Sequence, residues 1–150
     1  MFADLTQIDD FNIGKVKTLN QGIFPVSYSP TFYQECMDND LCQTIIQHGE
    51  AVAIVCLKPE IVGCAKVMYV RSLGVSPLLR ESGIGSRLLH FVEMKTREYK
   101  LDKIMLHVQV SNQIAIDFYQ RRGFVLVETV KNYYRRCLPA DAHLMIRRLQ

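Results

Sequence analysis

Asn112-Gln113-Ile114-Ala115-Ile116-Asp117-Phe118-Tyr119-Gln120-Arg121-Arg122-Gly123-Phe124 carries the clearest element boundaries in the chain. Asn112 is a good helix N-cap, because its side-chain oxygen can take an amide that the first turn leaves without a partner. Gly123 stands where a left-handed residue closes the last turn. Between them Ala115, Phe118 and Tyr119 recur at helical spacing, so one face carries small and aromatic groups together. Read alone, this is equally a core helix with a tyrosine at its rim.

Upstream lies a strand-like run, Lys103 to Val110, and before it a longer amphipathic helix, Gly85 to Tyr99, with Leu88, Leu89, Phe91 and Val92 on its apolar face. That helix is opened by Arg80-Glu81-Ser82-Gly83-Ile84-Gly85, which follows a strand ending at Val75. A glycine-containing turn at a helix N-terminus suits a pyrophosphate, since unpaired amides and the positive end of the dipole meet there and glycine lets the backbone come close. Arg80 adds charge-assisted contacts and Ser86 a hydroxyl. Two glycines opening a helix are also ordinary turn chemistry. The spacing lacks the Gly-Lys-Ser/Thr ending of a Walker loop and the three glycines of a dinucleotide fingerprint, so those readings fall away.

Working outward, strands are expected at Ala3 to Ile8, Cys42 to Gln47, Ala51 to Leu57, Lys66 to Val75, Phe124 to Val130 and Ala142 to Ile146 besides Lys103 to Val110. Short helices are expected at Asn12 to Ile23 and Thr31 to Met37, and Gln113 to Arg122 is the fourth. The order is strand, two helices, three strands, helix, strand, helix, two strands. This is an α/β (α+β) arrangement: a single mixed central sheet of about seven strands flanked by about four helices. The strand-helix-strand passage over residues 66 to 110 implies parallel neighbours, and His48-Gly49 a hairpin.

With 150 residues, 49% hydrophobic and 22% charged, one domain spanning 1–150 is expected. No apolar run approaches the roughly 20 residues a bilayer span needs, and Met1 to Asp10 has three acids and no basic segment, so neither a membrane nor secretion is expected. Cys36, Cys42, Cys56, Cys64 and Cys137 are odd in number and scattered, which argues against a disulfide framework and against a zinc site. A reducing compartment follows: cytoplasm, with the nucleus as a second location. The net charge of +3 is modest, and the arginine pairs at 121–122, 135–136 and 147–148 read first as solvated surface, so no nucleic-acid partner is expected.

The Arg80 to Gly85 turn and the Asn112 to Phe124 helix, about thirty residues apart, together resemble the two sequence motifs of the GNAT acetyltransferase superfamily. The resemblance implies acetyl-CoA as co-substrate and no metal. It implies that Leu73 and Val75 line the pantetheine arm, and that Arg80, Gly83, Ile84, Gly85 and Ser86 cradle the pyrophosphate. It also implies that Asn112 and Tyr119 contact the cofactor, the tyrosine as acid toward the departing thiolate. The strand at Lys103 to Val110 would splay from its neighbour to admit the thioester, with amides near Val75 holding the oxyanion.

Four further segments resemble N-terminal acetyltransferases of the NatE type, which act on chains beginning with methionine: Phe24-Pro25-Val26-Ser27-Tyr28, Leu106-His107-Val108-Gln109, Asn132-Tyr133-Tyr134 and Pro139-Ala140-Asp141-Ala142-His143. Resemblance runs from about Asn20 to His143 and is thin between Gly49 and Met68. Phe24, Pro25, Val26 and Tyr28 make a rigid apolar loop suited to a methionine side chain, and Tyr133 and Tyr134 offer hydroxyls and rings to the peptide backbone. By the same resemblance, Tyr69 and His107 deprotonate the amine through an ordered water. An α-amine, with a pKa of about 7.7 to 8.0, is roughly one-tenth free at neutral pH, whereas lysine near 10.4 is protonated. Expected partners are protein N-termini, with an auxiliary subunit and the ribosome.

Without that context His107 and Tyr69 read as ordinary strand residues, Tyr133-Tyr134 as a hairpin closure and the cysteines as small hydrophobes. Several positions depart from the pattern: Leu78-Leu79 where an aromatic is common, Glu81 where glycine or arginine is usual, Arg71 inside the cofactor strand, and Cys137 in place of a larger aliphatic. The alternatives are an acetyltransferase for lysines or small amines, and a non-catalytic acyl-CoA-binding subunit of a ribosome-associated complex.

Overall fold

The computed structural model describes residues 4–149, so Ala3 of the first expected strand lies outside the described residues. In chain order the elements are β1 (Thr6–Gln7), α1 (Ile13–Ile23), α2 (Pro30–Asp38), β2 (Cys42–Gln47), β3 (Glu50–Val62), β4 (Ala65–Val75), α3 (Ile84–Glu98), β5 (Lys103–Gln109), α4 (Gln113–Arg121), β6 (Val125–Val130) and β7 (Ala142–Arg148). They form the expected mixed sheet, seven strands in the order β1-β2-β3-β4-β5-β7-β6. β4 and β5 pair in parallel through Met68↔Ile104 and Tyr69↔Met105, and β7 lies antiparallel between β5 and β6.

The expected boundaries hold to within a residue or two, except that β1 is only Thr6–Gln7 where Ala3 to Ile8 was expected and β3 extends to Val62 where Ala51 to Leu57 was expected. That extension, Lys58 to Val62, is polar and carries Pro59, so it offers no apolar alternation to read. A one-turn 3₁₀ helix, Pro77–Leu79, was not foreseen either. At the β2–β3 turn His48 (φ 53°) and Gly49 (φ 79°) are both left-handed, the conformation that joins two twisted strands in two residues.

The described residues pack as two compact units. The first, residues 4–58 and 70–95, has a core of Ile8, Val16, Leu19, Phe32, Tyr33, Ile54 and three cysteines, Cys36, Cys42 and Cys56. α1 presents Val16, Leu19 and Ile23 to it at helical spacing. α2 begins sharply because Ser29 accepts the Phe32 N–H at 3.1 Å and Pro30 occupies the first turn, where a missing N–H costs nothing. The second unit, residues 59–69 and 96–149, is built around β5 and β7, with Ile104, Leu106, Val108, Ile116, Phe124 and Met145 buried. No described helix is long and apolar enough to cross a membrane.

Candidate active site

In the second unit, the ladder pair Tyr69↔Met105 fixes where Tyr69 falls, and His107, two residues beyond Met105, projects from the same face of β5. The Tyr69 hydroxyl and His107 Nδ1 share a hydrogen bond of 2.6 Å. Tyr133 completes the group: its hydroxyl lies 3.1 Å from that of Tyr69, and its ring stacks on the imidazole with centroids 4.2 Å apart and planes 17° apart.

Tyr133 sits in a loop held at several points. Asn132 adopts a left-handed φ of 56° and donates its N–H to Asp141 Oδ1 at 2.9 Å; the Tyr134 N–H donates to the Ala140 carbonyl at 2.8 Å. Gln109, at the end of β5, donates from Nε2 to the Pro139 carbonyl at 2.8 Å and so ties the loop to the strand that carries His107. Tyr134 packs edge-on against Tyr133 at 5.0 Å. Burial, then the negative charge of Tyr133 and Cys137 in their ionised forms, pushes its phenol up to about 12. Partial burial holds the His107 imidazole below the ordinary histidine value, with Glu128 pulling weakly the other way. His107 is therefore neutral at neutral pH, with one ring nitrogen able to accept a proton.

In the first unit, Phe24, Pro25, Val26 and Tyr28 all line one cleft of about 460 Å³, with Asn20 and Tyr33 among its other walls. The loop is stiffened by aromatic contact: Tyr28 stacks on Phe32 at 4.3 Å and meets Phe24 edge-on at 5.8 Å. Two residues outside the expected set hold it. Gly74 leaves room for Phe24 and Ile23, since a Cβ there would come within 2.7 Å of Phe24 Cζ and 2.6 Å of Ile23 Cδ1. Arg71, which looked like an interruption of the cofactor strand, pairs with Glu35 and lies 4.6 Å over the Phe32 ring. The hydrogen bond and charge of Arg71 hold the Glu35 carboxyl below its usual range.

The phosphate turn belongs to the same unit. β4 alternates half-buried Arg71, Leu73 and Val75 with buried Val70 and Ser72, so Leu73 and Val75 share its more open face. The Ser76 N–H is already given to the Val52 carbonyl at 2.8 Å, which removes it from the amides that could hold an oxyanion. The Ser82 hydroxyl donates to the Leu79 carbonyl, and the backbone then turns through left-handed Glu81 (φ 65°) and Gly83 (φ 90°). Buried Ile84 anchors the start of α3, and the Arg87 N–H reaches the Gly83 carbonyl at 3.2 Å. Nothing lies within 4 Å of where a Gly83 Cβ would be, while Arg80 and Ser86 are exposed. An open backbone at a helix N-terminus with a nearby cation fits the pyrophosphate of acetyl-CoA. Glu81 is exposed, and its backbone is in the left-handed region that glycine adopts without strain.

In α4, Asn112 accepts the Ala115 N–H at 3.2 Å, as a cap should, and Gly123 has φ 90°. Tyr119 is 6% exposed, and burial raises its phenol above the usual value, which keeps it protonated at neutral pH. Three cysteines that sequence spacing kept apart also converge in the first unit, the sulfurs of Cys36, Cys42 and Cys56 lying within 4.8 Å of one another. No sequence signal marks that cluster, because its members come from α2, β2 and β3.

A family model described as Acetyltransferase (GNAT) family matches residues 14–124. The chain belongs to the GNAT acetyltransferase family. This acetyltransferase is 40% identical over 149 residues to N-alpha-acetyltransferase 50 of Danio rerio, a match covering 98% of the chain and 89% of the relative. It is 33% identical to the probable N-acetyltransferase san of Drosophila melanogaster, covering 98% and 81%. Among solved structures it matches Arabidopsis thaliana Naa50 in complex with the bisubstrate analogue CoA-Ac-MVNAL, with a TM-score of 0.87 and 30% identity over 98% of this chain and 99% of that one.

Proposed function

We propose that this GNAT enzyme transfers the acetyl group of acetyl-CoA to the α-amino group of protein N-termini, with methionine first and a hydrophobic or other non-small residue second. The observation that carries the reading is a neutral His107 hydrogen-bonded to Tyr69 and stacked on Tyr133, a group able to take one proton near neutral pH. The Arabidopsis relative holds an analogue in which CoA is joined through acetyl to a peptide beginning with methionine, and the same substrate class is assigned here.

Acetyl-CoA, when bound, supplies the activated thioester. The chain's own residues do the rest. Arg80 and the amides opening α3 hold the pyrophosphate, with Gly83, Ile84, Gly85 and Ser86 shaping the turn, and Leu73 and Val75 line the pantetheine arm. The Phe24 to Tyr28 cleft takes the methionine side chain: 460 Å³ with aromatic and proline walls suits a flexible thioether. His107 and Tyr69 accept the amine proton through a water, a contribution of roughly 10² to 10⁴ in rate, and Tyr133 fixes the plane of the imidazole. Tyr134 engages the peptide backbone, Tyr119 protonates the departing thiolate and Asn112 supports the cofactor from the start of α4.

In this reading the whole chain, 1–150, acts as one cytoplasmic and nuclear acetyltransferase domain. An auxiliary subunit and the ribosome are its proposed partners. The edge strand β6 exposes Val125 (64%) and Val127 (55%), surface that such a subunit would cover.

The test is a panel of labelled-acetyl reactions on peptides that differ only in the first residue, beside a polyamine and an N-terminally blocked lysine peptide. A Met-Leu peptide is expected to turn over fastest. Faster labelling of the polyamine or the lysine peptide would sink the proposal.

A further inference from the structure

Cys36 of α2, Cys42 of β2 and Cys56 of β3 are 0%, 2% and 0% exposed, and none is in a disulfide. Cys42 and Cys56 are direct cross-strand partners, so their side chains leave the sheet on one face, and α2 lays Cys36 against them. The Cys36 and Cys56 sulfurs are 3.5 Å apart, and all three sulfurs lie within 4.8 Å of each other. A soft cation at the centre of a flat triangle, with metal–sulfur bonds of about 2.3 Å, asks for sulfurs about 4.0 Å apart. The triangle is of that size before any ion enters.

Three coordination also discriminates: zinc in structural sites takes four ligands, and the described residues offer no fourth His, Cys, Asp or Glu within the cluster.

We propose that Cys36, Cys42 and Cys56 form a trithiolate site for one soft d¹⁰ cation that accepts three sulfurs, of the Cu(I) or Cd(II) kind. Binding replaces three S–H bonds by three metal–sulfur bonds and releases three protons, with no change of oxidation state. The acetyl transfer itself asks for no metal, so the ion acts as a clip. It joins α2, which carries Phe32 and Tyr33 behind Tyr28, to the two strands beneath.

The full-length protein with Cys64→Ser and Cys137→Ser, kept reduced and free of oxygen, is titrated with Cd(II), with Cu(I) delivered from a weak complex, and with Zn(II). One equivalent of Cd(II) should give an ultraviolet sulfur-to-metal charge-transfer band, release close to three protons and raise the melting temperature. Cu(I) should compete for the same single site, and Zn(II) should bind at least tenfold more weakly than Cd(II). Cys36→Ser, Cys42→Ser and Cys56→Ser, each checked for native circular dichroism, should each abolish the band. Absence of the band, its survival in all three serine variants, tighter binding of Zn(II), or recovery of a Cys36–Cys56 disulfide in place of a metal adduct would each overturn the proposal.

Discussion

The cleft and turn of the first unit differ in kind from the tyrosine–histidine group of the second. The cleft works by shape: Phe24 is seated on a glycine, Tyr28 on a stacked ring, and the phosphate turn presents bare backbone. The group at Tyr69 is polar instead, with two hydroxyls and an imidazole joined at 2.6 and 3.1 Å. On the proposed function, the methionine side chain and the pyrophosphate are held by the first unit and the amine proton is taken in the second, so kinetic constants should separate when either is damaged.

The largest separation is expected from His107→Ala, which should lower kcat by roughly 10² to 10⁴ while leaving the peptide KM within a few-fold. Steady-state kinetics on a Met-Leu peptide reads this directly, and an equal loss in both constants would erase the distinction. Gly74→Ala attacks the other region. Its Cβ must displace Phe24 and Ile23, at a cost of about 1 to 3 kcal/mol in thermal unfolding and with a raised peptide KM.

The pH profile sharpens the comparison on the catalytic side. Burial disfavours charged imidazole, so His107 stays a competent base below the ordinary histidine value. The acidic limb of kcat/KM should fall below about 6.5 and should vanish in His107→Ala. The smallest effect belongs to Glu81→Gly. Relief of a left-handed non-glycine residue should stabilise the fold by about 1 kcal/mol, roughly 2 to 4 °C in melting temperature, with a modestly lower KM for acetyl-CoA as a charge leaves the phosphate turn.

Much of this was legible in the sequence because the relevant signals are local. Asn112 and Gly123 bracket α4 through cap chemistry, and Gly83 and Gly85 mark a turn that opens a helix; neither signal needs a distant partner to be read. What stayed hidden depends on residues far apart along the chain. Arg71 looked like a fault in a strand until Glu35 and Phe32, some 36 and 39 positions away, were placed beside it. Gly74 resembled any strand glycine, and only the position of Phe24 gives it a purpose. Tyr133 reads in the sequence as a ring and hydroxyl offered to the peptide backbone, and its added stacking on His107 arises from a loop tied by Asp141 and Gln109. Cys36, Cys42 and Cys56 read as scattered because side-chain convergence across a helix and two strands leaves no spacing pattern.

The most direct measurement uses one peptide with two amines, a free Met-Leu N-terminus and an internal lysine, incubated at neutral pH with acetyl-CoA and mapped by tandem mass spectrometry. The account predicts a single acetyl group on the α-nitrogen, lost in His107→Ala. Acetylation mainly at the lysine, or undiminished α-acetylation by His107→Ala, would contradict it.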